Sequence, residues 1–356
     1  MTIDILLSVA LRGGVENIIR MLLDTIESPD MHFRIVQLVW EGDRWLPDTA
    51  DYYPLLKGKG DYSLQQFVEA YQHFLEENGC PDLTLATVWP YNNYVAKKAF
   101  ANLGEDRKVV SWMHHGIDEY RKTGMGAEEW LVHADAHLAI NRENQTELTT
   151  LFPEDPVLRL HNPIRFPDES SCKTEYNTDT DQVTLAFVGR LSVEKNLEYI
   201  IRTLQKNDFC RLIVIGSAED ISYGKKLRSL AASLGVSAQI DWLGWKSDPW
   251  ADAIRADALC LSSRYEGFPL VALEALAHGL PVLSSTVNGI DELIRPGENG
   301  YIYDLSSEDA LTDTIIKFKN SGKLIDHAGS FRRGVSAYDS KLALTDMKEK
   351  LLSIMA

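Results

Sequence analysis

Gly189-Arg190-Leu191-Ser192-Val193-Glu194-Lys195-Asn196 lies between an apolar run, VTLAFV, and a helical pattern, LEYIIRTLQK. Gly189 lets the backbone turn tightly. Arg190 and Lys195 set two fixed cations beside a helix N-terminus, which itself attracts anions. Arg190 offers a planar fork and Lys195 a point charge, so together they suit a pyrophosphate. An ordinary charged surface loop is the competing explanation.

A second group is Ser263-Arg264-Tyr265-Glu266-Gly267-Phe268-Pro269-Leu270-Val271-Ala272-Leu273-Glu274. Glu266 ends a loop after the apolar run ALCLSS. Glu274 stands eight positions later in the helical stretch PLVALEALAHG. Pro269 suits the first turn of that helix. The N–H groups from Gly267 to Leu270 would then be open donors for phosphate or sugar oxygens. A carboxylate inside VALEALA needs partners if buried, and two ribose hydroxyls would serve. An exposed helix position for Glu274 and a turn position for Glu266 are the alternatives.

Two weaker groups follow. Gly13-Gly14 comes after the first strand-like run, where paired glycines admit a phosphate but also suit a plain turn. His114-His115-Gly116 ends the run KVVSWM, where either histidine suits a strand-end site or a structural role in the core.

These residues need elements to hold them. Apolar runs IDILLSVA, FRIVQLVW, LTLATVW, KVVSWMHH and HLAI alternate with helical patterns such as SLQQFVEAYQHFLEEN. The alternation restarts at VTLAFVGR and continues through CRLIVIGS, IDWLGW, ALCLSS and LPVLSS. Such alternation predicts α/β domains with parallel sheets covered on both faces. Two Rossmann-like domains are expected, residues 1–165 and 183–337. The polar stretch 166–182 would link them, and a terminal helix over about 338–356 would pack back on the first. Ligands of such sheets bind at the carboxyl ends of the strands, so a cleft between facing domains is the expected site. Loops 41–63 and 116–130 carry aromatic and charged residues that suit a ligand surface or simple loop packing.

Composition narrows the partners. The 356 residues carry 36 Lys plus Arg against 52 Asp plus Glu, a formal net charge of −16. That balance argues against a nucleic-acid partner, and since neither half is basic, long-range attraction to an anionic membrane is not expected either. Cys80, Cys172, Cys210 and Cys260 lie far apart, with no spacing suited to zinc, and Cys210 and Cys260 fit buried thiols. TDTD at 178–181 has an acidic metal-motif pattern but falls in the polar linker. No apolar run is long enough to cross a membrane, and the start is too short in apolar residues for a signal peptide. A cytoplasmic protein is expected, with at most peripheral contact with the inner face of a membrane.

Taken together, GRLSVEKN, IDWLGW, SSRYEGFPLVALEALAHGLPVLSSTVNGIDELI and PGENGYIY resemble family 4 of the retaining glycosyltransferases, which have the GT-B fold. RGGVEN, SWMHHG, HLAINRENQ and HNPI extend the resemblance to roughly residues 5–305. The pair Glu266 and Glu274 matches the family's E-x7-E motif. The resemblance implies that Arg190 and Lys195, following Gly189, bind the donor diphosphate. Glu274 would hold the ribose and Glu266 the donor sugar, with backbone contacts at Gly267, Phe268, Leu270 and Val271. Gly14, with Gly13, would approach the diphosphate. His114, or else His115, would touch the sugar, and Trp245 and Lys246 would border the base. The implied reaction moves a hexose or N-acetylhexosamine from a nucleotide diphosphate sugar, UDP-linked by preference, to a glycan or glycolipid hydroxyl. It proceeds with retention and without a metal or other cofactor. DWLGWKSDPWADAI favours lipopolysaccharide or surface-polysaccharide synthesis. One departure is the single glycine in Val287-Asn288-Gly289-Ile290, where many relatives have two. The alternatives are a catalytically silent protein of the same fold and, more remotely, an epimerase or phosphorylase.

Overall fold

The computed structural model describes all residues except 9–13, 41, 43, 59, 123–125, 175–180, 219, 323, 325–328 and 356. The chain divides into two compact units, Met1–Pro163 with Ser340–Ala356, and Ile164–Asp339.

The first unit holds seven parallel strands: β1 (Thr2–Leu7), β2 (His32–Trp40), β3 (Asp51–Lys57), β4 (Leu83–Thr87), β5 (Lys108–Trp112), β6 (Ala136–Ala139) and β7 (Val157–Arg159). Their order is β3-β2-β1-β4-β5-β6-β7. Ile3, Ile5, Leu6, Phe33, Ile35, Val36, Leu83 and Leu85 are fully buried, as strands covered on both faces require. The Leu64–Asn78 helix starts at a capping box, in which Ser63 and Gln66 each satisfy the other's backbone N–H. It lays Phe67, Val68, Tyr71, Phe74 and Leu75 on the sheet. Asp4 and Arg34, paired at 2.6 Å between adjacent strands β1 and β2, are buried with Tyr71, whose hydroxyl donates to Asp4 at 2.8 Å. The C-terminal helix, Ser340–Met355, belongs to this unit, and Lys350 Nζ donates to Arg159 O at 2.5 Å.

The second unit holds six parallel strands: β8 (Val183–Val188), β9 (Cys210–Ile215), β10 (Ile240–Gly244), β11 (Ala258–Leu261), β12 (Val282–Ser285) and β13 (Gly300–Tyr303). The order is β10-β9-β8-β11-β12-β13. Both sheets therefore have the doubly wound Rossmann order, which reverses between β1 and β4 and between β8 and β11. Cys210 and Cys260 are buried thiols, and burial pushes both up to about 12.

Several details depart from expectation. Loop 41–63 contains β3, an edge strand, which explains how it tolerates Pro54. Loop 116–130 contains two short helices, Ile117–Lys122 and Glu128–Leu131. Edge strands β7 and β13 are further additions. The polar stretch expected as a linker falls within the second unit, and its start is docked there. Lys173 is buried and donates to the carbonyls of Ile254 and Ala256 at 2.8 Å each. Arg332 donates to Pro167 O at 2.6 Å. Apolar count alone misses this, because a lysine ammonium satisfied by two carbonyls can be buried.

Candidate functional site

The order reversal in the second sheet makes β8 and β11 neighbours, with Ala258 opposite Leu185 and Leu259 opposite Ala186. Loops leaving their carboxyl ends must therefore meet. The loop after β8 carries Arg190 and Lys195, and the loop after β11 carries Glu266.

Lys195 Nζ donates to Glu266 Oε1 at 2.6 Å, and Ser263 Oγ donates to the same oxygen at 2.6 Å. The two side chains are 20% and 12% exposed, so the pair is held in a partly dry place without being sealed. Backbone contacts tie the loops further. Arg264 N–H donates to Glu194 O at 2.8 Å, and Ser262 Oγ to Asn196 O at 2.9 Å. Arg190 is half exposed, with Nη2 3.6 Å from Glu194 Oε1.

Asn196 takes the N-cap position of the Leu197–Gln205 helix in a left-handed conformation, φ 52°, without capping it through its side chain. Its Oδ1 instead accepts from Arg264 Nη2 at 2.9 Å. The helix's first-turn N–H groups lack a side-chain cap beside Lys195, the arrangement that receives anions.

Three glycines shape the strand ends: Gly189 after β8, Gly216 after β9 and Gly244 at the end of β10. Their φ angles are +151°, +146° and +72°. A Cβ on Gly216 would lie 1.8 Å from Gly189 O, so the two backbones touch as only glycine permits. Gly216 N–H in turn donates to Gly244 O at 2.8 Å. Neither Gly216 nor Gly244 stands out in the sequence, where GS and GW read as plain turns.

Glu274 lies on the Leu270–Ala277 helix with partial solvent contact. Desolvation by its apolar neighbours nevertheless pushes its carboxyl up to about 7, and a hydrogen bond from Trp250 opposes that shift. Trp250 stacks on His278 at 4.6 Å, and His278 Nδ1 lies 2.8 Å from Glu274 O.

The other expected donor contacts fall out unevenly. Gly267 and Phe268 are buried, and the Phe268 ring stacks on Tyr338 at 5.5 Å. The Leu270 N–H, expected as an open donor, is turned back on Phe268 O at 2.9 Å in a tight turn over Pro269. Val271 follows it in the first helical turn, where helix geometry leaves backbone donors open. Trp245 is 71% exposed, and Lys246 Nζ stands 3.6 Å from Asp252 Oδ2.

In the first unit, Gly14 opens the Gly14–Ile26 helix, and Gly13 lies outside the described residues. His114 is 8% exposed, with Nε2 2.8 Å from Thr87 Oγ1 and its ring 4.8 Å from that of Trp112. Burial pulls its imidazole down to about 3, so it is neutral. His115 is exposed, 3.2 Å from Glu119. Between them, the structure places His114 in the core and His115 at the surface. Nearby Val88 has φ 71°, a left-handed conformation that a β-branched residue rarely adopts, and Trp89 N–H donates to Thr87 O across it at 2.9 Å. That strained turn follows β4 at the order reversal of the first sheet, and nothing in TVWP announces it.

Among the described residues no group of three or more His, Cys, Asp or Glu is arranged to hold a metal ion. No helix there is long and apolar enough to cross a membrane.

Residues 169–333 match the family of glycosyl transferases group 1. The chain is similar to the lipopolysaccharide 1,6-galactosyltransferase of Escherichia coli (strain K12), 28% identical over 258 residues, which cover 70% of this chain and 66% of that protein. The enzyme of the same description from Salmonella typhimurium is 29% identical over 221 residues, 58% of this chain and 57% of that one. The matched stretch thus spans just under two thirds of these relatives or less. Among solved structures, the lipopolysaccharide outer core galactosyltransferase WaaB, apo form, superposes with a TM-score of 0.83 at 22% identity, covering 99% of both chains. Anabaena Alr3699/HepE in complex with UDP and glucose gives 0.76 at 18% identity, again covering 99% of both. Residues 169–333 are therefore similar to glycosyl transferases group 1, in a chain of GT-B fold whose similarities run to lipopolysaccharide glycosyltransferases.

Proposed function

We propose that the protein moves a hexose or N-acetylhexosamine from a UDP-sugar to a hydroxyl of a glycan or glycolipid in surface-glycan synthesis, with retention and without a metal ion. The observation that carries the reading is the Lys195–Glu266 contact at 2.6 Å, which joins a diphosphate-type loop to a sugar-type loop. The galactosyltransferase relatives support the acceptor class, and the UDP complex of HepE supports the base.

In this reading Glu274 accepts the ribose hydroxyls while Glu266 orients the sugar. The Lys195 ammonium has three hydrogens. One goes to Glu266, so Lys195 can grip a phosphate without releasing that partner. Arg190 supplies the second cation. Charge grows on the diphosphate as the glycosidic bond breaks, and these two cations stabilise it where a metal would otherwise serve. The acceptor oxygen attacks from the side the diphosphate leaves, and the leaving diphosphate takes the acceptor proton. No protein base is required, only positioning. The first unit is read as the acceptor-side domain and His114 as a contact of the sugar. A lipid-linked acceptor would bring the protein to the inner face of a membrane as a peripheral protein.

The test is turnover of a panel of UDP-, GDP-, ADP- and TDP-sugars with glycan acceptors in EDTA, with the product anomer read by NMR. Release of UDP in EDTA and a product of retained configuration are expected. Turnover that needs a divalent ion, inverted product, or no turnover of any sugar nucleotide contradicts the proposal.

A further inference from the structure

A cavity of about 670 Å³ opens on the second unit between the Leu197–Gln205 and Ile221–Ser233 helices. That volume lies within the range of ordinary small-molecule sites, about 300–1,000 Å³. The cavity borders the donor loops through Asn196 and Arg264 but is lined by none of Arg190, Lys195, Glu266 or Glu274.

Its lining is cationic in a chain of net charge −16. Arg202, Lys226 and Arg264 face one carboxylate, Glu198, whose Oε2 already accepts the Tyr223 hydroxyl at 2.5 Å. Among the described residues no carboxylate lies within ion-pair distance of Arg202 or Lys226. Arg264 spends Nη2 on Asn196, which leaves the rest of its five N–H donors. Three cations around one carboxylate leave an excess of positive charge that favours an anion between them.

The remaining lining is less polar. Leu230 and Leu305 give apolar surface, and Ser229 adds a hydroxyl. A bare phosphate would meet the cations and leave most of the cavity unfilled. We propose that this cavity is a second ligand site that takes a phosphomonoester carried on a sugar-sized body, with Arg202, Lys226 and Arg264 on the phosphate. The site shares Arg264 with the donor loops, since that residue is fastened to Glu194 and Asn196. Any coupling of the two ligands through that residue would be reciprocal.

The test titrates glucose 6-phosphate, and separately inorganic phosphate, into the whole chain by calorimetry with and without saturating UDP. The same titrations follow on Arg202→Glu/Lys226→Glu. Saturable glucose 6-phosphate binding that persists under UDP is expected, at least tenfold tighter than inorganic phosphate. The double variant should weaken it at least tenfold while its UDP affinity and melting temperature stay within error of wild type. Loss of binding under UDP, equal affinity for inorganic phosphate, indifference to the double variant, or no binding at all overturns the proposal. UDP titrated alone reports on the donor site separately, so failure of one reading is distinct from failure of the other.

Discussion

Lys195 Nζ and Glu266 Oε1 meet at 2.6 Å although 71 positions separate them in the chain. The meeting follows from topology: β8 and β11 are adjacent only because the strand order reverses there. The same reversal is where ligands of open α/β sheets bind. An ion pair at this place ties the two loops together, ahead of the donor in the proposed reaction.

Lys195→Ala removes the cation and leaves Glu266 with Ser263 alone. Turnover of the donor is expected to fall by about 100- to 1,000-fold, the usual cost of one transition-state donor. Unfolding stability should drop by a smaller amount, about 1–3 kcal/mol, because the pair is only partly buried. Steady-state rates with parallel urea melts separate the two. A variant with near-normal rate would remove Lys195 from the chemistry.

The raised Glu274 carboxyl predicts a pH dependence of donor affinity. Its folded value of about 7 lies above the ordinary 4.5, so the ligand-free protein holds a proton there that the unfolded chain has lost. This contribution to stability is full below about 4.5 and is lost as pH rises through about 7. The ionised carboxylate is the better acceptor for ribose hydroxyls. Affinity for a UDP-sugar should therefore rise roughly tenfold from about pH 6 to about pH 8. Glu274→Gln should flatten that rise, as calorimetry at several pH values would report. A slope that survives the substitution points to another group.

Gly216 is predicted to resist substitution for a geometric reason. An added Cβ falls 1.8 Å from Gly189 O, and φ is +146°. Gly216→Ala should cost about 2 kcal/mol or more, since strain and a backbone clash combine. It should also weaken UDP binding, because Gly189 heads the loop proposed to hold the diphosphate. Gly189→Ala, with open space around the new carbon, should cost less stability in the same urea melts. The reverse ranking would refute the contact.

The two adjacent histidines should separate cleanly. His114→Ala orphans Thr87 Oγ1 in the core and should cost about 1–3 kcal/mol. His115→Ala, at the surface, should stay within about 0.5 kcal/mol. Turnover should fall at least tenfold for His114→Ala and little for His115→Ala. The opposite pattern assigns the sugar contact to His115. The depressed His114 imidazole, about 3 against an ordinary 6.5, also means that stability falls as pH drops from 6.5 toward 3. A His114→Gln variant should lose that part of the acid limb.

The regular parts of this fold are readable because VTLAFV and CRLIVI are nearly continuous apolar runs of the kind buried parallel strands use. DYYPLLK is not, since its proline suits only an edge, and being an edge is a property of the assembled sheet. The chemistry-bearing residues stand out by type: two cations after one strand and two carboxylates after another. What they touch does not. The Lys195–Glu266 bond depends on strand order, the closed Leu270 N–H on a turn set by Pro269, and the Gly216–Gly189 contact on the spacing of two parallel strands. His114 and His115 are indistinguishable as neighbours in a string, and only packing sends one inward.

The central claim is that the loop after β8 and the helix that follows β11 hold a nucleotide diphosphate through Arg190 and Glu274. The most direct measurement is calorimetric titration of UDP into wild type, Arg190→Ala and Glu274→Ala in EDTA. The account predicts saturable binding by wild type and at least a tenfold loss in each variant, with melting temperatures of the free proteins close to wild type. Equal UDP affinity in all three proteins would contradict it.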